Sequence, residues 1–153
     1  MKWLLATHLL CTVGMFGVIW VVQLVHYPLF SRAERSTFVA FEADHSRRIT
    51  WVVGPLMIGE IVTAGVLAVR LSGTETAAWW WVGLAMVLLL WASTAVLSIP
   101  QHSALGGGWN EAAHRRLVLT NWPRTVLWTA RSLLVIDATL RAVERGDLGS
   151  APP

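Results

Sequence analysis

The chain is short of cysteine, tyrosine and charge. Its single cysteine, Cys11, excludes an internal disulfide and a CxxC dithiol centre, and with them thiol-relay redox chemistry. Charged residues make up 14% of the sequence, against about 25% in a soluble globular domain, so the chain lacks the surface of one. The only run of glycines, Gly106-Gly107-Gly108, has no Lys-Ser/Thr after it and no strand before it. That excludes a phosphate-binding loop and leaves a flexible turn, one that would let a covering segment move. No small-x-small cleavage site follows the first apolar run, and Leu10 stands where a lipobox wants a small residue before Cys11. The run is therefore expected to remain as a span rather than a cleaved leader. The net charge is +3 and the pI near 10.0, but the basic residues gather at the ends of apolar runs and not along one helix face. This speaks against nucleic acid as a partner and for anchoring to anionic lipid headgroups.

What the chain has is apolar length. Hydrophobic residues make up 55% of it and the mean hydropathy is +0.55, which sets the lipid bilayer as its partner. Four apolar runs cover 4–27, 49–71, 79–99 and 117–140. Each has the roughly 20 residues a membrane helix needs. Backbone in hydrocarbon must satisfy its own hydrogen bonds, so the runs are helices. The expected fold is all-α: a polytopic membrane protein, a four-transmembrane-helix bundle, in one domain over 1–153. An interfacial segment over 30–47 precedes the second span. Arg32, Arg35, Arg47, Arg48, Arg115 and Arg116 lie on the loop side, against Lys2, Arg70, Arg141 and Arg145 on the terminal side. The positive-inside rule then puts the first and third loops in the cytoplasm and the chain in a cell membrane, the inner one if bacterial. Trp3 and Trp79-Trp80-Trp81 mark the opposite headgroup level.

The two halves resemble each other. Ala43-Asp44-His45-Ser46-Arg47-Arg48 matches Ala112-Ala113-His114-Arg115-Arg116 with one deletion, and a proline follows in each at Pro55 and Pro123. Upstream, His26-Tyr27-Pro28 ends the first span and Ile99-Pro100-Gln101-His102 the third. The halves read as two parallel helical-hairpin repeats, with the second and fourth spans lining a shared centre.

Charges inside the spans mark that centre, because an ionised group at mid-membrane costs a few kcal/mol unless it is paired. Glu60 lies about 16 Å into the second span; Asn121, Arg124 and Arg131 descend about 6, 10 and 21 Å into the fourth. Asn121, Arg124, Trp128 and Arg131 share one helix face, and Gln23 and His26 share a face of the first span. Glu60 is expected to pair with both arginines, either as a lock on the bundle or as part of a working pocket. Two arginines for one carboxylate leave positive charge over for an anionic or enolate-like ligand. In the working-pocket reading, His26, His102, Asn121 and Arg124 are the catalytic candidates, with histidine neutral near pH 7 as base. Gln23, Glu60, Trp128 and Arg131 are then the substrate-binding ones. A histidine cluster at one membrane face, with only His8 near the other, offers bases or metal ligands to an enzyme acting on a lipophilic small molecule. A small transporter or complex subunit with a structural ion pair is the alternative. Glu42-x-x-His45 and Glu111-x-x-His114 repeat the spacing of carboxylate-bridged metal sites. Glu42, His45, Glu111 and His114 are thus candidate iron or zinc ligands, beside the plainer reading as interfacial charges. A haem held by His26 and His102 is a lesser option, since both lie at the water boundary.

His26-Tyr27-Pro28, Ile99-Pro100-Gln101-His102 and Asn121-Trp122-Pro123-Arg124 together resemble the anthrone-oxygenase-like family of small four-span membrane proteins. That family carries His/Tyr-Pro, Ile-Pro-x-Asn and Asn/Trp-x-x-Arg at these places; here His102 replaces the asparagine. The resemblance implies oxidation of a hydrophobic, often aromatic, ketone or phenol at the membrane.

Overall fold

The computed structural model describes residues 1–146. Four helical rods account for nearly all of them: α1 (Lys2–Arg32), α2 (Phe38–Arg70), α3 (Ala77–Gly106) and α4 (Glu111–Glu144). The described residues contain no strand. At 31, 33 and 30 residues, with hydropathy of 2.0 or more, α1, α2 and α3 are each long and apolar enough to cross a membrane. α4 matches them in length at 34 residues but carries more charge. Each rod packs on the next in chain order, and α4 closes the ring on α1.

Two boundaries differ from expectation. The interfacial segment 30–47 is not a separate element. Phe30–Arg32 is a last 3-10 turn of α1, and 38–47 is the opening of α2 itself, because nothing before Gly54 breaks the helix. Nor do Pro28 and Pro100 end their rods. Just ahead of each proline the helix widens into a π-turn, Val22–His26 in α1 and Thr94–Ser98 in α3. Proline cannot donate to the carbonyl four residues back and its ring collides with it; the wider turn accommodates both. Pro55 and Pro123 are likewise absorbed within α2 and α4. The same π-turn-then-proline device thus occurs at corresponding points of both halves.

The packing is inside out. Leu24, Trp51, Val62, Leu89, Val96 and Leu133 are exposed, while Gln23, Glu42, Glu60, Asn121, Arg124 and Arg131 are buried. Water would reverse that distribution. Three apolar layers stack along the ring: Leu5, Leu67 and Trp80 at the terminal end, Met15, Met57 and Trp128 in the middle, and Phe30, Phe38 and Leu117 at the loop end. The buried polar groups fall in two levels between them.

α1 and α2 cross closely at Gly59, where an added Cβ would lie 2.6 Å from the Cys11 Sγ. Gly59→Ala is therefore expected to lower stability by about 1–3 kcal/mol through overpacking. Thermal unfolding in detergent measures this, and Cys11→Ala in the same chain should recover most of the loss. An unchanged midpoint for Gly59→Ala alone would contradict the close crossing.

Candidate functional site

The deeper polar level is closed. Arg131 Nε donates to Glu60 Oε1 at 2.8 Å, with both side chains fully buried. Trp128 Nε1 donates to the second carboxylate oxygen at 3.2 Å, and Arg131 also donates to the Gly83 carbonyl. The Thr63 hydroxyl gives its proton to the Gly59 carbonyl at 2.6 Å, so at 2.7 Å it accepts from His8 Nδ1. His8 is thereby held as the Nδ1–H tautomer, and its Nε2 accepts from Arg131 Nη2 at 3.4 Å. No buried polar atom of Glu60, Arg131 or His8 is left without a partner.

The loop-side level draws one or more side chains from every rod. His102 on α3 places Nδ1 2.6 Å from Glu42 Oε1 on α2, and Nε2 3.0 Å from the Tyr27 hydroxyl on α1. An ionised carboxylate only accepts, so Nδ1–H donates to Glu42 and Nε2 accepts the Tyr27 O–H. The Ser46 hydroxyl donates to the same Glu42 oxygen at 3.1 Å. Arg124 on α4 donates to the Ser98 hydroxyl and, at 3.1 Å, to Asn121 Oδ1. Its guanidinium faces the Tyr27 hydroxyl and lies 5.3 Å from the Trp128 ring. Asn121 Nδ2 donates to Gln23 Oε1 at 2.8 Å. Next to this group His26 Nε2 and His45 Nδ1 share a 2.7 Å hydrogen bond, and the His45 ring stacks on His102 with centroids 5.4 Å apart. A carboxylate that orients an imidazole, which in turn accepts from a phenol, has the connectivity an acid–base chain needs.

Of these groups, Tyr27, Glu42, Ser46, Ser98, His102 and Arg124 border a cavity of about 480 Å³, a volume within the roughly 300–1,000 Å³ of small-molecule sites. Val22, Ile49, Val53 and Met57 form its apolar walls, and Tyr27, Glu42, His102 and Arg124 its polar end. Thr50, Ile99 and Ser103 line it and are also exposed, so it opens sideways between α2 and α3. Glu42 Oε2 and Arg124 Nε, on two residues of the lining, are buried without any hydrogen-bond partner. An orphaned buried polar atom costs about 1–3 kcal/mol, so a donor and an acceptor left open at one cavity point to a polar ligand end.

Of the residues singled out in the sequence, Gln23, His26, His102, Asn121 and Arg124 gather at the loop-side level, and Glu60, Trp128 and Arg131 at the deeper one. The expectation that Glu60 pairs with both arginines is corrected: it binds Arg131 alone. Trp128 stands between, its N–H on Glu60 and its ring beside Arg124. The positive surplus disappears as well. Glu42, expected at the interface, is buried, so two carboxylates face two arginines. The four proposed metal ligands are not brought together. Glu111 is exposed and accepts from Trp109 Nε1 at 3.2 Å, while His114 Nε2 donates to the Tyr27 carbonyl at 2.9 Å. Among the described residues no three His, Cys, Asp or Glu side chains converge as a metal site would require. His26 and His102 do not fit as haem ligands either: His26 Nε2 is bonded to His45, and both nitrogens of His102 are engaged. Tyr27 and His8 were not among the expected site residues. Tyr27 is the chain's only tyrosine and precedes Pro28, which was the available signal.

No family model, curated protein or solved structure matches the chain.

Proposed function

We propose that the chain is an integral membrane enzyme of the oxygenase or oxidoreductase type, which takes a lipophilic small molecule into the loop-side cavity and removes a proton from it. The observation that carries this reading is the Glu42–His102–Tyr27 chain, its two ends buried, meeting Arg124 at the polar end of an apolar, side-opening cavity. Substrate enters from the bilayer between α2 and α3. Tyr27, passing its own proton to His102, takes the proton from substrate, and Glu42 stabilises the imidazolium that results. Arg124 stabilises the negative charge left on an enolate or phenolate oxygen. The resemblance to the anthrone-oxygenase-like family supplies the second half of the reaction, in which dioxygen oxidises that anion. In this reading the Glu60–Arg131 pair is a lock, Gln23 and Asn121 hold Arg124 in place, and substrate contacts come from the cavity walls.

The reading places all four rods across a cell membrane. For α4 the support is that Leu119, Trp122, Val126, Leu133, Ile136 and Leu140 are all exposed at helical spacing, while Arg124 and Arg131 turn inward. The first and third loops are assigned to the cytoplasm on their arginines, and the recurring π-turn and proline support the two-hairpin repeat.

Purified protein in lipid nanodiscs, offered a panel of lipophilic phenols, ketones and quinols, is expected to take up oxygen with at least one of them. Tyr27→Phe should lower that rate by about 10²–10⁴-fold, the usual worth of a positioned acid–base group, at unchanged thermal midpoint. Saturable binding across the panel with no uptake would favour the alternative, a non-enzymatic membrane component such as a small transporter or complex subunit.

A further inference from the structure

The loop-side site has a second histidine pair that the chemistry above does not use. His26 and His45 are joined by a 2.7 Å hydrogen bond between Nε2 of the first and Nδ1 of the second. His26 is half-buried and borders two outward-facing clefts, one with Asp44 and Arg48 and one with Arg32 and Glu34, so its outer edge meets the charged headgroup level. His45 is buried and lies over His102. Its Nε2 has no partner in the protein. The nearest turn of α2 carries another unpartnered atom, Glu42 Oε2. Two buried polar atoms one helical turn apart, each able to accept, are the partners that a bridging water takes.

We propose that His26 and His45 form a proton relay that connects the Glu42–His102–Tyr27 chain to water at the loop face. This deepens the proposed function and rests on it for its physiological purpose. A proton taken up at the Tyr27 oxygen displaces the phenolic proton onto His102 Nε2. His102 Nδ1 releases its proton to Glu42, which passes it through the bridging water to His45 Nε2. His45 gives its Nδ1 proton to His26 Nε2, and His26 releases one from Nδ1 to solvent. Each group ends with the number of protons it began with, and one proton has left the cavity. The relay gives a proton set free at Tyr27 a hydrogen-bonded path to the loop face, apart from the apolar walls and the side opening of the cavity. His26 and His45 touch no substrate and act only through His102.

The test needs no substrate. In nanodiscs containing ¹⁵N-histidine-labelled full-length protein, exchange of the His102 ring proton with water is followed by NMR. His45→Gln is expected to slow exchange at least about tenfold, since the relay loses its middle member. His26→Ala should slow it similarly and recover when imidazole is added to the buffer, because a free imidazole fits the space the ring left. That rescue distinguishes proton transfer from a structural role. Unchanged exchange in His45→Gln, or slowed exchange in His26→Ala that imidazole does not restore, overturns the relay. Slowed and rescued exchange in a protein that turns over none of the phenols, ketones or quinols leaves the relay standing and removes the enzymatic reading instead.

Discussion

Arg131→Met is expected to be the most destabilising single change in the protein. It strands the Glu60 carboxylate in a fully buried site, and removing one partner of a buried pair costs about 3–5 kcal/mol. Glu60→Leu should be comparably harmful, because Arg131 then keeps only Gly83 and His8. The double variant Glu60→Leu/Arg131→Met removes both charges and fills the space with apolar atoms. Such replacements are often neutral or better, so its thermal midpoint in detergent should return close to that of the unaltered chain. The size of the recovery is the informative quantity. If the double variant loses as much as the two single ones together, the two residues do not act on each other and the lock is wrong. Trp128 adds to the same centre, because its N–H saturates the second oxygen of Glu60 and its ring keeps the Arg124 guanidinium away.

The opposite signature is expected one level nearer the loops. Arg124→Gln should lower turnover by about 10²–10³-fold, the usual worth of a donor aimed at a developing oxyanion. His102→Ala should lower it by about 10²–10⁴-fold. In Arg124→Gln the fold should hold, since Arg124 is tied to neutral partners, Ser98 and Asn121, and glutamine still reaches hydrogen-bond partners there. Unaltered turnover in Arg124→Gln would refute its assigned role. A drop in midpoint matching the loss of activity would reduce the site to structural polarity. The two levels therefore separate in one set of variants: stability without catalysis for Glu60 and Arg131, catalysis without stability for Arg124.

Much of the architecture was legible because hydrocarbon-compatible sequence leaves few choices. Apolar runs long enough to span had to be helices, and helical phase put Asn121, Arg124, Trp128 and Arg131 on one inward face. Depth alone could not choose between Arg124 and Arg131 as the partner of Glu60, since the carboxylate lies about midway between them at 1.5 Å per residue. The choice was made by Trp128, whose bulk between the two arginines has no signature in spacing. Pro28 and Pro100 suggested helix ends because proline forbids the ordinary α bond; the π-turns that absorb them are tertiary solutions, invisible in residue order. Glu42 was misjudged for a related reason. Its neighbours Asp44, Arg47 and Arg48 are exposed and pair among themselves, so the segment looked interfacial throughout. One face of it is nonetheless buried against α1 and α3. His8 lies toward the opposite membrane face from the other histidines, and only the ring closure of α1 on α4 brings it to Arg131.

Proton abstraction at the cavity is best tested by deuterium incorporation from D₂O into lipophilic, enolisable phenolic ketones, followed by mass spectrometry with nanodisc-embedded protein and no oxidant. The expected result is incorporation above that of empty nanodiscs, lost in Glu42→Gln and kept in Glu60→Leu/Arg131→Met. Incorporation that never exceeds the empty nanodiscs, or that survives Glu42→Gln unchanged, would contradict it.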